Sequence, residues 1–352
     1  MKVALSCNNY VSHKNRMFSG GIEWRGSEPP LGDDIWEHMR FLKRYLEERG
    51  HKVCAVDEPG PRPDAMVFYD YPYPWDLRFL RGDGVERFLI AHEPPVARPP
   101  NYDARNHDRF RKVFTWKKSL LDSGQPRYVK MLCPRLPAFE PNPAHFDPST
   151  KSEFCITILS YKREVGPGSL YDERLRCIRW FEENHLDQFQ LYGGGWDKPF
   201  FGGRWSVLNR GLRTLYRHTP VGRWISSPRR FPSWRGAVPR KNEVLAKFRF
   251  AICYENFAED NWITEKIFDA LWAGCIPIYI GASNIRDYVP GAAFIDRNEF
   301  ADYEALHRRM VSMTESEHRG YLKAIWDYIH SDQPAPFSIK RFAEIILEHV
   351  AR

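Results

Sequence analysis

The sequence predicts an α/β protein of two tandem domains, each a parallel sheet with helices packed against it. Three observations carry that expectation. Short apolar runs alternate with stretches of helical periodicity in both halves of the chain. A Pro-rich stretch from Pro134 to Pro148 interrupts the alternation, and the same pattern then starts afresh. The length, 352 residues, is about twice the ~150-residue prior for one domain.

The elements follow in order. Lys2–Cys7 is apolar enough for a first strand and leads directly into polar Asn8-Asn9-Tyr10, so it does not read as a signal peptide. Asp33 or Asp34 can cap a helix whose Ile35, Met39, Leu42 and Leu46 fall on one face, with Gly50 as its stop. Strands are expected at Lys52–Val56, Ala65–Tyr69, Arg87–Ala91, Lys112–Thr115 and Val129–Leu132. The prolines after Cys133 describe a stiff, extended linker and place a boundary, giving an N-terminal domain over 1–140 and a second over 150–330. In the second, Phe154–Leu159 is a strand, Ser160–Gly168 a loop and Leu170–Glu183 a helix. Gln188–Tyr192 is a strand that runs into Gly193-Gly194-Gly195. Helix Asn242–Lys247, strand Phe250–Tyr254, helix Thr264–Ala273 and strand Cys275–Ile280 follow, and 331–352 ends in a helix. Two such domains suggest a ligand cleft between them, at the carboxyl ends of the strands. The triple Gly lacks the G-x-G-x-x-G spacing, which argues against a dinucleotide cofactor.

Composition narrows the function classes. With 43% hydrophobic and 28% charged residues the chain is globular, and no apolar run approaches the ~18 residues of a membrane-spanning helix. Seven dispersed cysteines without a C-x-x-C pair point to reduced thiols, with neither a disulfide framework nor a zinc site. A cytoplasmic location is the expectation, with peripheral contact at the inner face of a membrane. From Lys198 to Lys241 lie nine Arg, two Lys and no acidic residue; this exceeds the whole chain's net charge of +7, so the remainder is net negative. Arg210, Arg213 and Arg217 share a helical face, which suits an anionic membrane or an anionic, lipid-linked acceptor. A solvated insertion explains the same charges. Nucleic acid is disfavoured, because no recognised binding module accompanies them.

The richest chemistry lies between Phe250 and Gly281. A strand, a polar loop, a helix and a second strand place Glu255, Asn256, Thr264, Glu265 and Lys266 where a strand ends and a helix begins. A helix N-terminus suits a phosphate, Lys266 adds a full charge, and Glu265 can accept from sugar hydroxyls. On charge pattern alone, Asn261 or Thr264 capping the helix is an equally ordinary account. In the first domain, Phe88–Pro95 is a strand ending in Glu93 followed by two prolines, which fix the direction of a carboxylate at the strand's carboxyl end. A rim ion pair with Arg98 is the alternative, and His92 beside it is a candidate neighbour of the carboxylate. Tyr69-Asp-Tyr-Pro-Tyr-Pro-Trp75 concentrates aromatics after another strand, where they either stack on sugar faces or pack the core.

The run Tyr254-Glu255-Asn256, then Asn261-Trp262-Ile263-Thr264-Glu265-Lys266, then Gly274, Pro277 and Gly281, resembles the donor-binding signature of glycosyltransferase family 10, the α-1,3/1,4-fucosyltransferases. Weaker similarity runs from Phe154 to Arg297, including Trp234-Arg235-Gly236. The chain departs from the pattern in Trp262, where the family usually has Tyr, and in Phe257, where Ser is common. The resemblance implies the GT-B fold, with two Rossmann-like domains and a GDP-sugar held by the C-terminal one. It also implies inverting transfer of fucose from GDP-fucose to a glycan or lipid-linked glycan hydroxyl, with no cofactor and no metal held by Asp-x-Asp, a motif this sequence lacks. Glu93 takes the family's general-base position, and Arg174 the arginine facing the diphosphate. Ser160, Lys162, Glu255, Asn256, Trp262, Thr264, Glu265 and Lys266 complete the donor side. Two other readings stay open: the same fold with another GDP-hexose, and a catalytically silent glycan- or membrane-binding protein.

Overall fold

Strands whose successive residues are all apolar must be covered on both faces, which is the condition for a parallel sheet with helices on either side. Both halves meet it. The computed structural model describes residues 1–7, 17–18, 36–58, 60–82, 84–134, 136, 140–197, 231–238 and 240–350. Strands β1 (Lys2–Cys7), β2 (Lys52–Ala55), β3 (Ala65–Tyr69), β4 (Glu86–Ala91), β5 (Lys112–Thr115) and β6 (Tyr128–Lys130) form one parallel sheet in the order β2-β1-β3-β4-β5-β6. Strands β7 (Glu153–Ile158), β8 (Phe189–Tyr192), β9 (Phe248–Tyr254), β10 (Ile276–Ile280) and β11 (Ile295–Asp296) form a second, in the order β11-β10-β9-β7-β8. The architecture is the expected pair of Rossmann-like units.

Strand order fixes where ligands can enter. In the second sheet the chain leaves β7 toward β8 on one side and returns to β9 on the other, so a crevice opens between β7 and β9 beyond their carboxyl ends. The loop after β7 carries Ser160 and Lys162, and the loop after β9 begins with Glu255 and Asn256. In the first sheet the corresponding reversal lies between β1 and β3, and Glu93 follows β4, the next strand along.

Helix α1 (Glu37–Glu47) buries His38, Met39, Leu42 and Leu46, the stripe its periodicity predicts. Gly50 turns the chain after it at φ 82°, while the candidate caps Asp33 and Asp34 and the stripe residue Ile35 lie outside the described residues. Two one-turn helices, α2 (Ala104–His107) and α3 (Lys118–Leu121), flank β5. Helices α4 (Tyr171–Asn184), α5 (Lys241–Leu245), α6 (Glu265–Trp272), α7 (Tyr303–Val311) and α8 (Glu315–Ile329) belong to the second half. Helix α9 (Ile339–Val350) then leaves that half and packs on α1. Its Phe342, Ala343, Ile345, Ile346 and Val350 join Val3, Leu5, Leu42 and Phe88 in a single core.

The Pro-rich stretch departs from the expected extended linker. Its second part folds as two 3₁₀ turns, Pro143–Phe146 and Pro148–Thr150, because Asn142 and Asp147 accept the backbone N–H groups of Ala144 and Ser149. The Phe146 ring then meets Trp326 at 4.9 Å, edge to face. Of the basic segment, residues 198–230 and 239 lie outside the described residues, and with them the proposed basic helix.

Candidate active site

The signature begins where β9 runs out. Glu255, the next residue, is fully buried. Its carboxylate accepts hydrogen bonds from the Thr264 backbone N–H (2.7 Å), the Thr264 hydroxyl (2.9 and 2.8 Å) and the Lys266 ammonium (3.1 Å). Thr264 is the residue preceding α6, so the carboxylate sits against the positive end of that helix. The sequence leaves this helix end open to a phosphate; the structure fills it with Glu255. Lys266 also meets the Thr264 hydroxyl at 2.7 Å and the Glu265 carboxylate at 3.3 Å. Burial pulls its ammonium down, but Glu255 and Glu265 outweigh that and hold its pKa above the ordinary lysine value. Glu255 and Thr264 therefore act inside the protein. Lys266 and Glu265, each part-exposed, are the members of this group that can reach a ligand.

The closing glycine of the signature has the same origin. A Cβ at Gly281 would lie 2.6 Å from Glu255 Cγ and 2.5 Å from Tyr279 Oη, so a larger residue would dislodge the buried carboxylate.

Arg174 lies on the first turn of α4 and is buried rather than solvated. Its Nε and Nη2 donate to the Tyr254 carbonyl at 3.0 and 2.7 Å, at the strand end from which Glu255 emerges. Burial lowers its guanidinium pKa from the ordinary value. Arg174 lines one cleft with Ser160, Lys162, Tyr171 and Trp196. Two bonds join the start of α4 to the signature loop: Leu170 N–H donates to Asn256 O (3.0 Å), and Asn256 Nδ2 donates to Tyr171 Oη (3.4 Å).

The opposite wall depends on a residue that sequence reasoning missed. Asp70 follows β3 in a left-handed conformation (φ 67°) and is buried. Its Oδ1 accepts from the backbone N–H of His92 (3.0 Å), the backbone N–H of Glu93 (2.8 Å) and Asn101 Nδ2 (2.6 Å). Asn101 Nδ2 also donates to the Glu93 carbonyl at 3.2 Å. Glu93, half-buried, is thus held by its backbone just past the end of β4. Arg98, the alternative ion-pair partner, turns instead to the Tyr71 carbonyl. A non-glycine residue between a strand end and a proline-rich turn was the available signal for Asp70.

Burial first, and then the charge of Glu93, push the Asp70 carboxyl up to about 7 against the pull of its three N–H donors. The unfolded chain releases this proton near pH 4, so between about pH 4 and pH 7 the folded state alone retains it. Stability contributed by this group is complete below that window and falls as pH rises through it, by at most about 1.4 kcal/mol per pH unit. Asp70→Asn should flatten the wild-type slope across the window, measured by urea unfolding at a series of pH values. An unchanged slope would assign the pH dependence to other groups.

The two walls meet. Trp262 is buried between the lobes, its ring 4.8 Å from Trp116 and 5.7 Å from His92. Its Nε1 donates to Asn256 Oδ1 at 2.8 Å. Trp116 Nε1 donates to the His92 carbonyl (2.8 Å), and Asn261, at φ 66°, donates from Nδ2 to the Trp116 carbonyl (3.0 Å). Across the cleft, a Cβ at Gly166 would lie 3.2 Å from Val96 Cγ1, so the loop after β7 touches the loop that begins with Glu93. The Glu164 carboxyl on the former is raised by burial, pulled back by Lys162 and raised again by Glu93. The loop that begins with the base candidate thus approaches the loop after β7, whose Lys162 lines one cleft with Arg174.

Residues 212–330 match the model of the C-terminal region of glycosyltransferase family 10 (fucosyltransferase). An α-(1,4)-fucosyltransferase of Arabidopsis thaliana is 40% identical over 63 residues, which is 18% of this chain and 16% of that protein. Matched stretches cover 16%, 14% and 21% of the first three curated relatives, far less than two thirds of their length. The crystal structure of an α1,3-fucosyltransferase superposes with a TM-score of 0.56 at 16% identity, covering 99% of this chain and 90% of that one. A crystal structure of an α1,3-fucosyltransferase with GDP-fucose does so at 0.50, with 16% identity and coverage of 99% and 91%. At such identities the superpositions speak for the fold alone: the chain has the GT-B fold, and its residues 212–330 match the C-terminal region of glycosyltransferase family 10, the fucosyltransferases.

Proposed function

We propose that this protein transfers fucose from GDP-fucose to a hydroxyl of a glycan acceptor, with inversion at the anomeric carbon. The observation that supports the proposal is the approach of the loop that begins with Glu93 to the loop after β7, whose Lys162 lines a cleft with Arg174 beside the strand end where the family signature begins. In this reading Glu93 takes the acceptor hydroxyl proton as the oxygen bonds to C1 of fucose, and the bond from C1 to the GDP oxygen breaks on the opposite face. An oxocarbenium-like transition state of this kind gains from a base near the acceptor and from positive charge near the leaving diphosphate. Lys266 and Arg174 supply that charge, with Ser160 and Lys162 on the rim.

A thermal-shift screen over GDP-fucose, GDP-mannose, UDP-glucose and UDP-galactose tests the donor. GDP-fucose at 100 times its dissociation constant should stabilise the fold by about 2.7 kcal/mol, and a non-ligand by nothing. Stabilisation by GDP-mannose in its place would keep the transfer mechanism and change the sugar. GDP release on adding an acceptor, followed by chromatography, separates a transferase from a silent binder.

A further inference from the structure

On the loop fastened to the one that carries Glu93 the structure holds an exposed aromatic surface. Trp75 is 63% exposed and is the one tryptophan in the exposed class among the described residues. Its ring is nevertheless fixed: it stacks on Tyr73 with centroids 4.8 Å apart and planes 11° from parallel. The Arg98 guanidinium lies 3.8 Å from the centre of the Tyr73 ring, and Arg98 Nε donates to the Tyr71 carbonyl at 3.1 Å. An exposed indole held in one orientation has given up its rotational freedom before any ligand arrives, which favours binding.

The same bonds tie this surface to the base. Arg98 closes the turn that starts after Glu93, its backbone N–H donating to the Pro94 carbonyl at 2.8 Å. Asn101 accepts from the Tyr71 backbone N–H (2.7 Å) while donating to Asp70 and to the Glu93 carbonyl. The loop carrying Trp75 and the loop carrying Glu93 are thus fastened by one asparagine at neighbouring strand ends.

We infer that Trp75, backed by Tyr73 and Arg98, is a docking platform for a pyranose ring of the acceptor glycan, one sugar or more away from the hydroxyl that reacts. A pyranose presents a face of C–H groups that covers an indole well, and its hydroxyls stay at the rim in water; a flat aromatic with a polar surround fits such an amphipathic ligand. The occupant is therefore a neutral saccharide. This inference rests on the transferase reading for its place in the reaction, but binding to the platform is measurable without turnover.

The test is an array of neutral oligosaccharides of the cello, chito, manno and galacto series, probed with the wild-type protein in the presence of GDP, then with Trp75→Ala and Trp75→Phe. Trp75→Ala should weaken the best oligosaccharide about 10-fold, the scale of one lost aromatic contact together with its buried area, and Trp75→Phe should recover much of it. With an acceptor identified, the loss should fall on KM, leaving kcat and acceptor-independent GDP-fucose hydrolysis unchanged. Equal binding by wild type and Trp75→Ala overturns the platform, as does the absence of any oligosaccharide binding by the wild type. Trp75-dependent binding by a protein that neither hydrolyses nor transfers any GDP-sugar would overturn the transferase reading and leave the platform standing.

Discussion

Glu93→Gln is expected to lower sugar transfer by about 10²–10⁴-fold, the contribution of a positioned general base, with GDP affinity unchanged. The separation of effects follows from position. Glu93 stands on the first sheet, whereas the candidate phosphate-side groups stand on the second, so the substitution removes a proton acceptor without touching the leaving-group side. Gln keeps the shape of the side chain, and the bonds that hold this residue are made by its backbone N–H and carbonyl, which the substitution retains. Steady-state turnover together with calorimetric titration of GDP reads both quantities. Transfer at the wild-type rate would move the base elsewhere, and a matching fall in GDP affinity would put Glu93 on the donor side.

Lys266→Ala should act on stability and on donor binding at once, by different routes. The Glu255 carboxylate has no contact with water and keeps only Thr264 as a partner once the ammonium is gone. Breaking a buried pair by removing one member costs about 3–5 kcal/mol, since the remaining charge is stranded. Loss of a charge-assisted hydrogen bond to the diphosphate adds about 1.5–3 kcal/mol against GDP binding. Combining Glu255→Gln with Lys266→Met removes the stranded charge and fills the volume, so stability should largely return while GDP affinity stays low. Calorimetric unfolding and GDP titration of the single and double variants separate the two routes. GDP binding restored along with stability would make Lys266 a purely structural partner of Glu255.

What the sequence disclosed is what local pattern controls. Strand β3 runs from Ala65 to Tyr69 as expected and β9 begins two residues earlier than expected, because unbroken apolar runs bounded by turn residues leave little choice of register. Glu93 at a strand end and the Thr264-Glu265-Lys266 start of α6 were legible for the same reason. Asp70 was not, since its role depends on Asn101, 31 residues later. The contacts of Trp262 were not legible either: its ring lies between the lobes against Trp116 and His92, and Asn261 beside it bonds across 145 residues to the Trp116 carbonyl. Glu255 is a third case. Its residue type suits a sugar hydroxyl, yet Thr264 and Lys266 fold back over it and consume its hydrogen-bonding capacity. The partnerships of Asp70 and Asn261 span the packed fold and leave no mark in a window of residues, whereas that of Glu255 lies within one such window and depends on how its loop folds back.

The return of α9 to α1 has a consequence for how the molecule is assembled as it is made. The first sheet leaves the ribosome long before residues 339–350, whose five buried side chains complete its core. All five strands of the second sheet and helices α4–α8 precede α9 in the chain. The usual order of vectorial folding, first unit first, is therefore reversed in its last step: the later lobe can close while the earlier one still waits for its final helix. The arrangement also leaves two chain crossings between the lobes, one before β7 and one before α9. A second covalent tie between two bodies shortens the range of relative positions that either tie alone would allow.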